Sequence, residues 1–511
     1  MALTSHKILL QSVFNIINFY NFIMDESITD KGLRLISMAN AHYGHLAPFR
    51  TERERNKRYN YGNQWSDIVD IDGRRITEEQ YIKEQGSIPL KNNLIRRLVR
   101  NVVDVYNSRS RLPQVLPAGN ASREAARLLG RILRHSMHTN RLSTMYTRSM
   151  EEFLISGMVV HRKSYGQRGG ITGVWTDYVQ PSNFFFDRSM RDFRGWDCSC
   201  VGEIHDISFS EVCRQMAHSK DKYELLKQHY GISDLRSETL CRVTEIWVKE
   251  SEAYYLCHDT ALGTTYHVKA DEYGKVLDKE NARRIGCGQG CIHTHWYLRD
   301  VWRYYFLAPD GWIMAEGDSP YRHGGHPYVF KVYPLIDGEI HSFVGDVIDQ
   351  QRYTNRLITL YDWIMRASSK GVLLVPEDCV PRGCSPSDFA DAWSKYNGVI
   401  FYKPSAQGQI PQQVANNSTN IGIRELLDVQ LKFFEDISGV NEALQGRTSN
   451  VAMSAELFGK QTQNATTTLL DILDTFNDFV RDAAYKDVSN IKQYYPECAA
   501  FRDADVEIRV K

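Results

Sequence analysis

Residues 340–368 read IHSFVGDVIDQQRYTNRLITLYDWIMRAS. The stretch holds no proline, and Leu357, Tyr361 and Ile364 recur at spacings of four and three, the period of one face of an α-helix. A helix over all twenty-nine residues is roughly 44 Å long at 1.5 Å per residue. Residues 369–418 follow with five prolines and two short strand-like runs, GVLLVPED and GVIFYKP. A second helix is expected over about 420–438, then a break rich in Gly, Asn and Ser (SGVNEALQGRTSNVAMS). A last long helix is expected over 453–492, with Leu469, Leu473, Phe476 and Val480 on one face. The chain then ends in a strand-like ADVEIRVK. The order helix, small insert, helix, loop, long helix is what decides the fold.

Upstream of this block the periodicity changes twice. Residues 88–112 place Leu94, Leu98, Val102 and Tyr106 at helical spacing, closed by Pro113 and Pro117. Residues 121–157 read as a second long amphipathic helix running into Gly157. From 158 to 335 apolar and polar residues alternate between Gly, Pro and Asp, the mark of strands and hairpins. A helix over 208–230, capped by Ser208 or Ser210, interrupts them. The fold class is therefore α+β.

Composition excludes some classes. Hydrophobic residues make up 42% and charged residues 24%, so the chain can build large cores. Net charge is zero, with 62 basic and 62 acidic residues, but the signs are separated. Residues 91–150 carry twelve Lys/Arg against two acids, and 421–482 carry ten acids against five bases. Separated signs suit subunits that dock basic face to acidic face; a solvated basic helix face or a grip on phosphates gives the same pattern. The ten cysteines, spread from Cys198 to Cys498, form no disulfide framework. Residues 8–24 are apolar but broken by Gln11, Asn15, Asn18 and Asn21, which fits neither a spanning helix nor a signal peptide. Residues 1–24 are read as an N-terminal arm or extension, and no membrane association is expected.

Sites of chemistry are sparse. No phosphate-binding glycine loop, HExxH or GxSxG is present. Cys287, Cys291, His293 and His295 (CGQGCIHTH) have the number and type of ligands for zinc. Their C-x3-C-x-H-x-H spacing is tighter than a finger's, and hairpin packing competes with metal binding. Tyr304, Tyr305, Phe306 and Trp312 could stack on bases, although aromatics in a hairpin usually pack. A metal-dependent nuclease would need clustered carboxylates; Asp187, Asp192 and Asp197 are the candidates. No cofactor and no catalytic residue is expected.

Five passages, taken together, resemble one family. They are YGNQWSD (61–67), KNNLIRRLVRNVVDVY (91–106), VQPSNFFFDRSMRDFRGWDCSCVGEIHDIS (179–208), GDVIDQQRYTNRLITLYDWIM (345–365) and DISGVNEALQGRTSNVAMSAELFGKQ (436–461). Their order along roughly residues 55–511 resembles the portal proteins of tailed double-stranded DNA bacteriophages, most like those of short-tailed and crAss-like phages. The resemblance implies a portal-type fold: a mixed α/β wing over 25–335 (helical 25–157, β-rich 158–335), stem helices at 336–368 and 419–438, a small α/β clip at 369–418, a tunnel loop at 439–452, and a tunnel helix returning to the wing at 453–511. It implies a non-enzymatic homo-oligomer, a dodecamer, at one capsid vertex of the virion, assembled in the host cytoplasm. Double-stranded DNA would pass through its channel during packaging and ejection. Its partners would be the terminase large subunit, a head-tail adaptor and the major capsid protein. Gly446, Arg447, Thr448, Ser449 and Asn450 would face the DNA, and Gln351 and Asn355 would belong to the first stem helix. The competing readings are the nuclease or another head-tail structural protein. Portals of this group usually continue past the tunnel helix into a crown or barrel; here either the crown is absent or it lies beyond VEIRVK.

Overall fold

The computed structural model describes residues 30–109, 112–119, 122–232, 234, 238–288, 290–370, 372–376, 385, 387–388, 391, 412–414, 422–440, 467, 469–501 and 503–510. The arm expected at 1–24, most of the insert at 369–418, and Gly446, Arg447, Thr448, Ser449 and Asn450 lie outside the described residues. The chain forms two compact units. One comprises Met1–Lys57, Arg100–Gly345 and Thr466–Lys511; the other comprises Arg58–Val99 and Asp346–Ala465. Residues 58–99, read from sequence as part of the 25–335 block, thus fold with 346–465.

In the first unit, long runs of alternating residues build two antiparallel sheets. The larger orders its strands Ile313–Asp318, Ile292–Leu307, Leu240–Asp259, Cys200–Ser208 and Phe184–Phe186, and Thr264–Lys269 also pairs with Leu240–Asp259. The smaller orders Tyr328–Val332, Met158–Arg168 and Ile171–Tyr178. Met158, Val160, Phe184, Phe185, Trp247 and Tyr328 belong to one buried core. Gly157 is essential at the entry to Met158–Arg168. Its φ is +77°, a conformation that favours glycine, and a Cβ there would lie 2.1 Å from the His341 carbonyl oxygen, an approach that only glycine allows. The C-terminal strand Val506–Arg509 pairs antiparallel with Gln114–Pro117.

Three helical expectations for this unit are corrected. The single helix expected over 121–157 is two, Arg123–Thr139 and Leu142–Ser156. Arg141 between them is left-handed at φ 52°. The turn is fixed by Asn140, whose side chain donates to the Ser136 and Val174 carbonyls and accepts from the Thr176 N–H. The helix expected over 208–230 is also two, Phe209–Met216 and Lys220–Tyr230. Ser208 caps the first and Ser219 the second, each accepting a backbone N–H from three residues on. A helix at Ala270–Gly286, within the region read as strands, covers one face of the sheet near Cys257 and Ile292.

The last long helix is described over Leu470–Tyr494. It buries Phe476, Phe479, Val480, Ala483 and Ile491 and packs on the smaller sheet and on the 123–139 helix; Phe479 meets the His161 ring of that sheet, and Phe476 the rings of Tyr106 and Phe153. Each fully buried phenylalanine there contributes about 1.5–3 kcal/mol. The same helix inserts charge. Asp487 accepts from Lys163 at 2.7 Å, Asp482 meets Lys331 at 2.9 Å, and Lys486 Nζ donates to the His326 and Tyr328 carbonyls. Burial, with Lys163 nearby and only partly offset by Asp482, brings the Lys486 pKa down to about 7. The unfolded chain therefore holds more protons between about pH 7 and 10.5, so this group makes stability rise with pH across that window. Lys486→Met should flatten that rise when urea midpoints are compared at about pH 7 and pH 10. Profiles parallel to wild type would show that another group is responsible.

The second unit opens on a hairpin, Ile68–Ile71 with Arg74–Thr77. Its turn residues Asp72 and Gly73 both have positive φ, the geometry that a two-residue hairpin turn favours. Thr77 and Gln80 form a reciprocal capping box at the start of Glu78–Glu84. The stretch quoted first begins later than its periodicity suggests. Leu335–Ile336 and Glu339–Ile340 form a hairpin in the first unit, a 3-10 turn spans Gly345–Val347, and the helix proper is Ile348–Lys370. The next helix, Ile423–Ser438, packs along it and ends at left-handed Gly439. Strands Val372–Leu374 and Gln412–Val414 pair antiparallel between the two helices.

Candidate functional site

The densest buried polar arrangement involving residues singled out from sequence is in the second unit, at Gln351 and Asn355. Both are buried, 0% and 1% exposed, on one face of the 348–370 helix as their spacing requires. Gln351 Oε1 accepts the backbone N–H groups of Leu94 at 2.9 Å and Ile95 at 3.2 Å. Its Nε2 donates to the Asn92 carbonyl and to Asn355 Oδ1. Asn355 Oδ1 also accepts the Asn92 N–H, and its Nδ2 donates to Gln64 Oε1 at 2.7 Å. Gln64 in turn donates to the Tyr59 carbonyl and to Asn93 Oδ1. One turn further on, Thr359 Oγ1 accepts the Leu90 N–H.

This clasp has a clear local origin. Helix Leu94–Arg109 starts with N–H groups that lack partners within the helix. Asn93 caps the Arg96 N–H from its own chain, and Gln351 supplies the acceptor for Leu94 and Ile95. A second anchor lies alongside. Glu78, 3% exposed, is bound by the guanidinium of Arg356 and approached by Arg352 at 3.5 Å; the two arginines are four apart, one turn of the helix. The amide and carboxylate acceptors are engaged and no nucleophile is paired with a base. The arrangement fixes the 348–370 helix to the segment 59–95.

Gln64, Glu78 and Thr359 are the members that sequence reasoning missed. The Asn92–Asn93 pair before an apolar-periodic run was a visible helix-start signal. Nothing in the sequence indicated that the acceptor for the next two N–H groups would come from about 250 residues away.

The other candidates separate. Cys287 closes the Ala270–Gly286 helix and is exposed. Cys291 is partly buried, and His293 and His295 stand exposed on Ile292–Leu307. Among the described residues these four do not bring three ligand atoms within 4.8 Å of one another. The group that does so is Glu203, His205 and Glu245. There the Arg162 guanidinium already lies 3.0 Å from Glu245 Oε2, and His205 Nε2 meets the same oxygen at 3.0 Å. Burial alone would raise the Glu245 pKa, but Arg162, His205 and Trp247 bring it down to about 2, whereas burial raises that of Glu203. The arrangement is an internal ion network with its cation in place.

Asp187, Asp192 and Asp197 are spent on their own loop. Asp187 accepts from Ser189 and Ser199, Asp192 pairs with Arg194, and Asp197 accepts the N–H groups of Arg191 and Asp192. The aromatic cluster packs. Tyr305 is 1% exposed and bonds Glu250, Tyr304 lies 5.3 Å from the Trp247 ring, and Trp312 stacks on His229 at 4.2 Å. Among the described residues no helix is long and apolar enough to cross a membrane.

The sequence profile of phage P22-like portal proteins matches residues 38–503, which include the clasp, both helices beside it and the 470–494 helix. No curated protein sequence matches the chain.

Proposed function

The chain belongs to the phage P22-like portal protein family, and on that premise we propose that it is the subunit of a ring, a homododecamer, that conducts double-stranded DNA through one vertex of the capsid. In this reading 348–370 and 423–438 are the stem helices. The segment 369–418 is the clip that docks the terminase large subunit during packaging and the adaptor afterwards. Gly446, Arg447, Thr448, Ser449 and Asn450 belong to the loop beside the DNA, and the body contacts the major capsid protein. The role is structural and non-enzymatic. No observation favours the nuclease, since its candidate carboxylates are tied to their own loop.

The observation that carries the assembly is on the stem helices. Leu426, Val429, Phe433 and Ile437, spaced three, four and four apart, are 37–49% exposed along one side of 423–438, while Gln430, Phe434 and Ser438 on the other side are buried. Tyr353, Leu360 and Trp363 are likewise 42–48% exposed on 348–370. Apolar side chains exposed at helical spacing on both helices mark an interface, and a ring closes when such surfaces meet head to tail.

Electron microscopy of the purified protein tests the reading: rings with a central hole are expected, and a monodisperse monomer would overturn it. Phe433→Asp should release folded monomers, because it places a carboxylate in the interface without touching the core. Rings that persist unchanged in that variant would show that this face is not the contact. Deleting 371–415 should abolish binding of the packaging motor while leaving the first unit folded; unchanged motor affinity would remove the clip assignment.

A further inference from the structure

The register of the larger sheet redistributes the histidines that the sequence places in a tight metal-like cluster. Residue pairs His293↔His258 and His295↔Leu256 join Ile292–Leu307 to Leu240–Asp259. Pairs His258↔Thr265 and Leu256↔His267 join the latter to Thr264–Lys269. Directly paired residues point to the same face. One face of this three-stranded ribbon therefore carries His293, His258 and Thr265 in one row, and His295, Leu256 and His267 in the next. The opposite face holds Cys257 and Ile292 under the 270–286 helix. Among the described residues the histidine face has no such cover, and all four imidazoles are exposed.

Two of the rings are already oriented. His258 Nδ1 lies 3.2 Å from Thr265 Oγ1, and His267 Nδ1 lies 2.8 Å from the Tyr297 hydroxyl. A hydrogen bond that ties one ring nitrogen and leaves Nε2 for a ligand is what orients metal-binding histidines. Directly opposed positions on an antiparallel pair have Cβ atoms about 4.5–5.5 Å apart, and the diagonal neighbour lies about 7–8 Å away. His258 and His293 can therefore share one ion, with His295 reaching the same point from its diagonal. No guanidinium or ammonium occupies that row, in contrast to Arg162 in the Glu203–His205–Glu245 network. The imidazoles do not converge within 4.8 Å as they stand. Binding turns exposed rings about their side-chain bonds and leaves the backbone in place.

We infer that His258 and His293, with His295 as a third ligand, form a surface site for a divalent transition-metal ion of the zinc class. Cys287 has no part in it, because it lies at the end of the helix rather than in these rows. An imidazole set suits Zn(II), Co(II), Ni(II) or Cu(II) and discriminates against Mg(II) and Ca(II), which prefer oxygen. The site would staple the outer part of the ribbon across its two longest strands.

The test is calorimetric titration of the full-length protein with zinc chloride, alongside Co(II) absorption spectroscopy. One saturable ion per subunit in the micromolar range is expected, with a cobalt spectrum free of a thiolate charge-transfer band. His258→Ala with His293→Ala should weaken binding at least ~100-fold, and Thr265→Val about tenfold through loss of the hydrogen bond that orients His258. All these positions are exposed, so unchanged circular dichroism should accompany the loss. Cys287→Ser with Cys291→Ser should bind as wild type does. No saturable zinc binding, full binding in the double histidine variant, or a thiolate band lost with the cysteines would each overturn the proposal.

Discussion

Gln351→Leu should lower the stability of the second unit by about 2–4 kcal/mol, an effect far beyond that of an ordinary helix-surface change. The substitution keeps the side-chain volume nearly constant, so no cavity term enters. What it removes is the acceptor for Ile95 N–H, whose residue is 0% exposed, one of two acceptors for Leu94 N–H, and a donor to the Asn92 carbonyl. A buried amide left without a partner costs about 1–3 kcal/mol, and the loss also loosens Asn355, which shares the network. Trp65 gives a local readout: it is 6% exposed in the same unit and its indole N–H donates to the Leu90 carbonyl. Urea unfolding followed by fluorescence should show the midpoint moving sharply down for Gln351→Leu. By contrast, Asp70→Asn, at an exposed position on the hairpin of the same unit, should stay within about 0.5 kcal/mol of wild type. If both variants unfold together with wild type, the clasp is not what fixes the helix.

The clasp also shows where sequence reading succeeds and stops. Local periodicity placed Leu94, Leu98, Val102 and Tyr106 on one helix and Leu357, Tyr361 and Ile364 on another, and it offered Ser208 or Ser210 as a cap, because each of these is decided within a few turns. It could not divide 121–157, since Arg141 carries no breaker signal and the bend depends on Asn140 bonding a strand more than thirty residues downstream. The helix at 270–286 was hidden among strands although Glu280 pairs with Arg283 and Arg284 at helical spacing; Gly274 in its first turns weakens the pattern. The histidines are the sharpest case. Sequence neighbours suggested Cys287 and Cys291 as partners of His293, but the residue beside it in space is His258, set by strand register. Register depends on the whole sheet, and no short window contains it.

The other large effect belongs to the first unit. Lys163→Met alone, or Asp487→Leu alone, should each lower stability by about 3–5 kcal/mol, because each leaves the opposite charge buried without its partner. Both groups are deeply enclosed, 0% and 3% exposed at the side chain. Lys163 Nζ spends a second hydrogen on Thr176 Oγ1 at 2.8 Å, so the lysine is held by two elements of the fold. The combined Lys163→Met/Asp487→Leu variant should recover most of the loss, since a buried pair replaced by apolar groups of similar size is often close to neutral. The pH dependence separates this pair from a simple packing effect. Burial raises the Asp487 pKa, and Lys163 works against that rise. A carboxyl whose folded pKa lies above its unfolded value favours the folded state most at acidic pH, and that contribution is lost as pH rises through the folded value. Removing Lys163 pushes the carboxyl further up. Lys163→Met should therefore lie closest to wild type in acid and fall away toward neutral pH, whereas Asp487→Leu, which has no carboxyl to titrate, should not recover in acid. Circular dichroism melts of the three variants from about pH 4 to pH 8 read both signatures. Single-variant losses that simply add in the double variant, together with a pH-independent deficit for Lys163→Met, would mean that the lysine and the aspartate stabilise the unit through packing and not as a charge pair.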